Sequence, residues 1–177
     1  MKKFKDIVIR PLKQSDIARA DEFKNFINEL VDDKDAFIAT GNKKTLTEER
    51  EYFKSIISKI KKQEQVYLLA EKSGKLVGSS SVDLKTERQN HIAELGITIL
   101  KDYRGIGLGA YLMKEILKLA KKELKPKPKI IRLGVFANNK IAISLYEKMG
   151  FKIVAKIPKQ LNFHGKLIDE IVMILEL

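Results

Sequence analysis

The sequence predicts an α+β fold: one domain spanning residues 1–177, with a mixed sheet of about seven strands and about four flanking helices. Three observations predict it. Short alternating or β-branched runs interleave with amphipathic helical runs in the order β-α-α-β-β-β-α-β-α-β-β. No internal repeat and no linker-like stretch divides the chain. A chain of this length can also bury about 70% of its unfolded surface around one core without staples.

The first element is DIVIRPL (6–12), an alternating run that reads as a short strand. From Ser15 as N-cap, Ile17, Ala20, Phe23, Ile27 and Leu30 recur at helical spacing, and VDDKDAFIATGNKKT closes that helix in a long loop. TLTEEREYFKSIISKIKK is the second helix. Thr45 and Glu48 form its capping box, and Phe53, Ile56, Ile57 and Ile60 its apolar face. QVYLLAEKSGKLVGSSSVDL reads as two strands joined at Ser73-Gly74. HIAELGITIL (91–100) is a β-branched strand with Gly96 inside it, which predicts either a bulge or a close approach by another backbone.

The third helix follows a glycine loop. Leu112, Met113, Ile116, Leu117, Ala120 and Leu124 form one stripe, with Lys114, Lys118, Lys121 and Lys122 opposite. KKELKPKPK (121–129) reads as a solvated helix exit, and KIIRLGVF as the next strand. Asn138 is expected to cap a helix that carries Ile141, Ala142, Leu145, Tyr146 and Met149, with Gly150 at its left-handed C-cap. The remaining chain reads as a strand, a turn at His164-Gly165 and a last strand.

The loop YRGIGLGA places Gly105, Gly107 and Gly109 at alternate positions directly before a helix. Glycine costs a helix roughly 1 kcal/mol relative to alanine, so this run has a purpose other than helix stability. Unpaired N–H groups and the positive dipole end make a helix start an anion site, and glycines let the backbone close around a phosphate. The run also satisfies G-x-G-x-x-G/A, but no acid follows the next strand, where LGVFANN stands, and further parallel strand-helix units are missing. A nucleotide-triphosphate loop would need Gly-Lys-Ser/Thr where this chain has Gly109-Ala110-Tyr111.

ITILKDYRGIGLGA, followed after a strand by NKIAISLYEKMGF, resembles the GNAT superfamily of acyl-CoA-dependent N-acyltransferases. The matching positions are Arg104, Gly107 and Gly109, then Asn139, Ala142, Leu145, Tyr146, Gly150 and Phe151. The resemblance covers residues 66 to 177 closely and the N-terminal helices in type only. It implies a mostly antiparallel sheet with strands splayed at an acetyl-CoA site, and no metal. It also implies that Arg104, Gly105, Ile106, Gly107, Leu108, Gly109 and Ala110 hold the cofactor's diphosphate through backbone N–H groups. Ile97, Thr98 and Ile99 would lie along the pantetheine arm by their backbones, and Asn139 would be a side-chain partner of that arm or a plain helix cap.

Acyl transfer to an amine needs a deprotonated amine, a stabilised oxyanion and a proton for the departing thiolate. Tyr146 resembles the family's proton donor, the alternative being a ring packed in the core. Glu94, two residues before Gly96, is the candidate general base acting through water, the alternative being a solvated strand carboxylate. Asp169 and Glu170 are further carboxylates that could line the acceptor side, and the sequence does not rank them. The resemblance implies an amino acid, polyamine or other small amine as acceptor. Protein N-termini or lysines are the alternative, and a non-catalytic acyl-CoA-binding or nucleic-acid-associated module is the reading from another class.

Composition bounds the rest. The absence of cysteine removes disulfides and thiolate chemistry, and makes a cytoplasmic setting the expectation. The apolar start ends at Arg10-Pro11, too early for a signal core, and no run approaches a membrane span, so no membrane partner is expected. A net charge of +12 suits an anionic ligand. The cations are spread from Lys2 to Lys166, which reads as solvated surface and disfavours nucleic acid as a partner. His91 and His164 are too far apart in sequence to suggest a metal site. A monomer and a homodimer are both compatible with these features.

Overall fold

Among the described residues, seven strands form one mixed sheet. The structure is a computed structural model that describes residues 6–38 and 40–177. The strands are β1 (Ile7–Pro11), β2 (Gln65–Lys72), β3 (Lys75–Leu84), β4 (Ile92–Ile99), β5 (Ile130–Phe136), β6 (Lys152–Phe163) and β7 (Lys166–Glu176), in the sheet order β1-β2-β3-β4-β5-β7-β6, and of these pairs only β4–β5 is parallel. The helices are α1 (Ala20–Asp32), α2 (Leu46–Lys61), α3 (Leu108–Glu123) and α4 (Lys140–Lys148). This is the element order read from the sequence, in one α+β domain.

Local chemistry explains most boundaries. Thr45 Oγ1 accepts from Glu48 N at 3.2 Å while the Glu48 carboxylate accepts from Thr45 N at 2.8 Å, so α2 begins with the expected capping box. The β2–β3 hairpin turns through Ser73 (φ 50°) and Gly74 (φ 79°), and the β6–β7 hairpin through His164 (φ 50°) and Gly165 (φ 80°). Paired positive φ values are the turn geometry that matches strand twist. Three expectations need correction. A 3-10 turn spans Gln14–Arg19 before α1 begins at Ala20, because the Asp16 carboxylate takes the Lys13 N–H at 2.7 Å and Ser15 caps nothing. Asn139, not Asn138, caps α4: its Oδ1 accepts from Ala142 N at 3.2 Å. Ile141 is 88% exposed, so it lies off the apolar stripe of α4.

The sheet separates two cores. On one face Val66, Leu68, Ala70, Ala93, Leu95, Ile131, Leu133 and Val135 pack against Leu108, Leu112, Met113, Ile116 and Ala120 of α3 and Tyr146 of α4. On the other, Tyr67, Leu69 and Leu76 pack against Phe23, Phe26 and Leu30 of α1 and Phe53, Ile56 and Ile57 of α2. Because strand side chains alternate, Glu94, Gly96 and Thr98 of β4, and Arg132, Gly134 and Phe136 of β5, face away from α3. Gly96 and Gly134 are exposed there, so α1 and α2 leave the β4–β5 part of this face open. Gly96 is not a bulge, since the β3–β4 register runs unbroken from Gly78↔Ile99 to Leu84↔Ala93.

Candidate active site

The parallel pair β4–β5 is short. Ile92, Ala93 and Glu94 pair with Ile130, Ile131 and Arg132, and no pairing continues beyond them. From Leu95 to Ile99, β4 pairs with β3 alone, while β5 from Leu133 to Phe136 pairs with β7 alone. The two strands therefore diverge in a V, with its apex at Glu94 and Arg132 and its mouth at Ile99 and Phe136. Each backbone that turns into the V carries amide groups without a sheet partner, which suits an extended, amide-bearing ligand.

The mouth meets the glycine loop. Gly105 has φ 71° and nothing within 4 Å of its missing Cβ; Gly107 has φ 91° and is the N-cap of α3. Both positive φ values demand glycine, and an L side chain at 107 would be strained in the last position before the helix. Gly109 lies within the first turn, where an added Cβ would sit 3.4 Å from Leu145 and 3.5 Å from Ile99, so α3, α4 and β4 converge at the loop. The Arg104 guanidinium is already engaged: its Nε donates to the Ile99 carbonyl at 2.9 Å and its Nη1 pairs with Asp33 at 2.8 Å. Arg104 thus offers the loop its backbone, while its side chain ties the loop to the segment after α1.

Side chains on the open face bring chemistry to the V. Glu94 stands at the apex, with Asp83 on one side and Arg132 on the other in register, and its Oε2 lies 2.8 Å from Lys85 Nζ. Gln65 Oε1, Asp83 Oδ1 and Arg132 Nε are shielded from water without a hydrogen-bond partner among the described residues, so a polar row crosses β2 to β5 at the apex. Thr98 Oγ1 lies 2.9 Å from Ser79 Oγ, which accepts from the buried Tyr67 hydroxyl at 3.3 Å. Ile97 and Ile99 turn their side chains into the α3 core, which leaves their backbones at the V.

Tyr146 enters from α4 on the other side. Its ring is buried, 6.1 Å from Phe151, and its hydroxyl makes no hydrogen bond to the described residues. Burial pushes that hydroxyl up to about 12. Asn139 keeps its amide N–H group available, because only Oδ1 serves the cap. His91 and His164 belong to no metal-binding group among the described residues, and His164 Nε2 lies 3.1 Å from the Lys34 carbonyl.

Sequence reasoning left one pair of carboxylates unranked and missed two features. Asp169 and Glu170 are sorted by the fold: Asp169 accepts from Lys159 N at 3.0 Å and pairs with Lys156 at 3.0 Å, whereas Glu170 turns toward β5 and lies over Gly134. The signal for it was Gly134 itself, an interior strand glycine that only a tertiary partner explains. Arg132 had no local signal. Phe37, Phe136 and Phe163 form an aromatic wall at the mouth, with centroids 4.6 to 5.6 Å apart, joining the α1–α2 loop to the β6–β7 hairpin.

Known proteins resemble the chain in sequence and in fold. The chain is 30% identical over 97 residues to an L-amino acid N-acetyltransferase of Escherichia coli, covering 54% of this chain and 59% of that one. It therefore spans about three fifths of that relative's length. An acetyltransferase of the GNAT family from Streptococcus pneumoniae superposes with a TM-score of 0.82 at 27% identity, covering 97% of this chain and 99% of that one. A microcin C7 self-immunity acetyltransferase, solved with acetyl-CoA and AMP, shares the fold at TM-score 0.76 and 14% identity, covering 100% and 96% of the two chains. The model of the acetyltransferase (GNAT) family matches residues 26–151, well over half of the sequence, and the chain belongs to that family.

Proposed function

We propose that the protein transfers the acetyl group of acetyl-CoA to a primary amine by direct attack within a ternary complex, with a small amine as acceptor. The observation that carries this reading is the meeting of a glycine-opened helix start with two strands that part in a V. A diphosphate at the first and an amide-rich arm along the second is the ligand such a junction suits. Backbone N–H groups from Gly105 to Ala110 hold the diphosphate, the Ile97–Ile99 backbone pairs with the arm, and the Asn139 amide donates to it.

Acetyl-CoA supplies the activated thioester. Glu94, through a water, takes one proton of the acceptor ammonium; the amine nitrogen bonds to the acetyl carbonyl carbon, the carbon–sulfur pair leaves with sulfur, and the second proton that the nitrogen then sheds passes through solvent to the thiolate. Tyr146 attends that sulfur, and magnitudes decide how. A thiol of ordinary acidity, about 8.5, is a stronger acid than a phenol held at about 12. Full proton transfer would run uphill by about 5 kcal/mol, so the hydroxyl serves as a hydrogen-bond donor to the developing thiolate.

The test is thiol release from acetyl-CoA over a panel of amino acids, polyamines and short peptides. Release that requires both acetyl-CoA and a particular amine is expected. Release at the same rate with and without every amine would sink the reading.

A further inference from the structure

A Cβ built on Gly134 would sit 2.1 Å from Glu170 Oε1 and 3.2 Å from Glu170 Cδ. The carboxylate of a β7 residue therefore occupies the place that a side chain of β5 would fill, on the open face and inside the V. Its neighbour Asp169 pairs with Lys156 and accepts from the Lys159 N–H, and Glu170 forms neither an ion pair nor a side-chain hydrogen bond among the described residues. A half-buried carboxylate that no side chain of the protein engages is free to take a counter-ion, and the charge it accepts is a cation.

The surroundings specify the cation further. Glu170 is in register with Phe136, which closes the mouth of the V together with Phe37 and Phe163. Phe37 and Phe163 stack at 4.6 Å with their planes 17° apart. Aromatic faces take alkyl stems and attract cations. Glu94 stands across the V, nearer the apex, but already faces Lys85. The two carboxylates are thus not equivalent: one is partnered at the closed end, the other unpartnered at the open one.

We propose that Glu170 binds a cationic group of the acceptor and selects alkylammonium compounds whose apolar stem lies against Phe136. The assignment rests on the acetyl-transfer reading above and adds the acceptor class to it. Gly134 is its structural counterpart, since a side chain there would displace the carboxylate.

The experiment measures kcat and KM for the best amine of the panel in wild type, Glu170→Gln, Glu170→Gly and the double variant Glu170→Gly/Gly134→Asp, with Glu94→Gln alongside. Glu170→Gln is expected to raise KM for the amine roughly tenfold or more while KM for acetyl-CoA stays put. Glu94→Gln is expected to act mainly on kcat. The double variant regains most of the amine affinity lost in Glu170→Gly, because a carboxylate now grows from β5 into the same space. A thermal shift with acetyl-CoA checks that each variant is folded, and Glu170→Gln, nearly isosteric, carries the conclusion if the glycine variants fail that check. An unchanged amine KM in folded Glu170→Gln overturns the Glu170 assignment and leaves acetyl transfer intact. Failure of the wild type to acetylate any amine overturns both.

Discussion

Tyr146 shows how environment sets a side chain's acidity. A phenol in water lies near 10, and burial on α4 pushes this one up to about 12; in the proposed mechanism it is therefore a hydrogen-bond donor that keeps its proton. Tyr146→Phe should therefore preserve the fold and acetyl-CoA binding while slowing the chemical step roughly 10- to 100-fold, the worth of one hydrogen bond to a charged atom. Single-turnover measurement is the proper readout, since product release can hide a chemical defect. A near-wild-type single-turnover rate would leave Tyr146 as a wall of the site. Asn139 is the quieter case, because its two amide ends allow it to cap α4 and still present a donor.

At the scale of elements, the start of α3 is the piece most tightly specified. Gly107 needs its φ of 91°, which a β-branched side chain adopts only under strain, and it caps the helix start that the proposed function assigns to the diphosphate. Gly107→Val should lower the melting temperature modestly and abolish the further rise that acetyl-CoA produces. At 100 times its dissociation constant a ligand adds about 2.7 kcal/mol, or roughly 5 to 10 °C for a domain of this size. A full ligand-induced rise in Gly107→Val would place the diphosphate elsewhere.

β1, β2 and the turn before α1 are joined by a second device. Arg10 forks onto Asp16 at 2.7 Å and Glu71 at 2.8 Å, and Arg19 reaches Glu71 and, at 2.7 Å, Glu22. Burial pushes the Asp16 and Glu71 carboxyls up, but the arginine bonds outweigh it, and both end below the usual carboxylate range. Depressed values mean stability that is full above about pH 4 to 4.5 and lost as pH falls through the folded values. Asp16→Asn should cost about 2 kcal/mol at neutral pH, with the difference from wild type shrinking toward pH 3. Denaturant unfolding at several pH values measures it, and a pH-independent difference would remove the ion pairs from the explanation.

For the whole molecule, what was legible in the sequence was what short-range chemistry dictates. The capping box at Thr45, the hairpin turns, the α3 stripe and the glycine loop are written within a few residues of where they act. The rest depended on which strands meet. Nothing near Glu170 says that its carboxylate ends over Gly134, 36 residues earlier in the chain, because that follows from β7 entering the sheet beside β5. Arg132 and the Phe37–Phe136–Phe163 wall were hidden for the same reason, and Ser15 lost its expected cap because Asp16 was already bonded to Lys13 N and Arg10. The charge of +12 also belongs to this scale: it favours approach of an anionic ligand from any side without naming a site.

The most direct measurement is mass analysis of the amine after incubation with acetyl-CoA and wild-type protein, with Gly107→Val in parallel and released thiol counted in the same samples. Acetyl transfer predicts an amine heavier by one acetyl group, one thiol released per acetylated amine, and loss of both in Gly107→Val. Acetyl-CoA that binds without yielding acetylated amine, or thiol released while the amine stays unmodified, would contradict it.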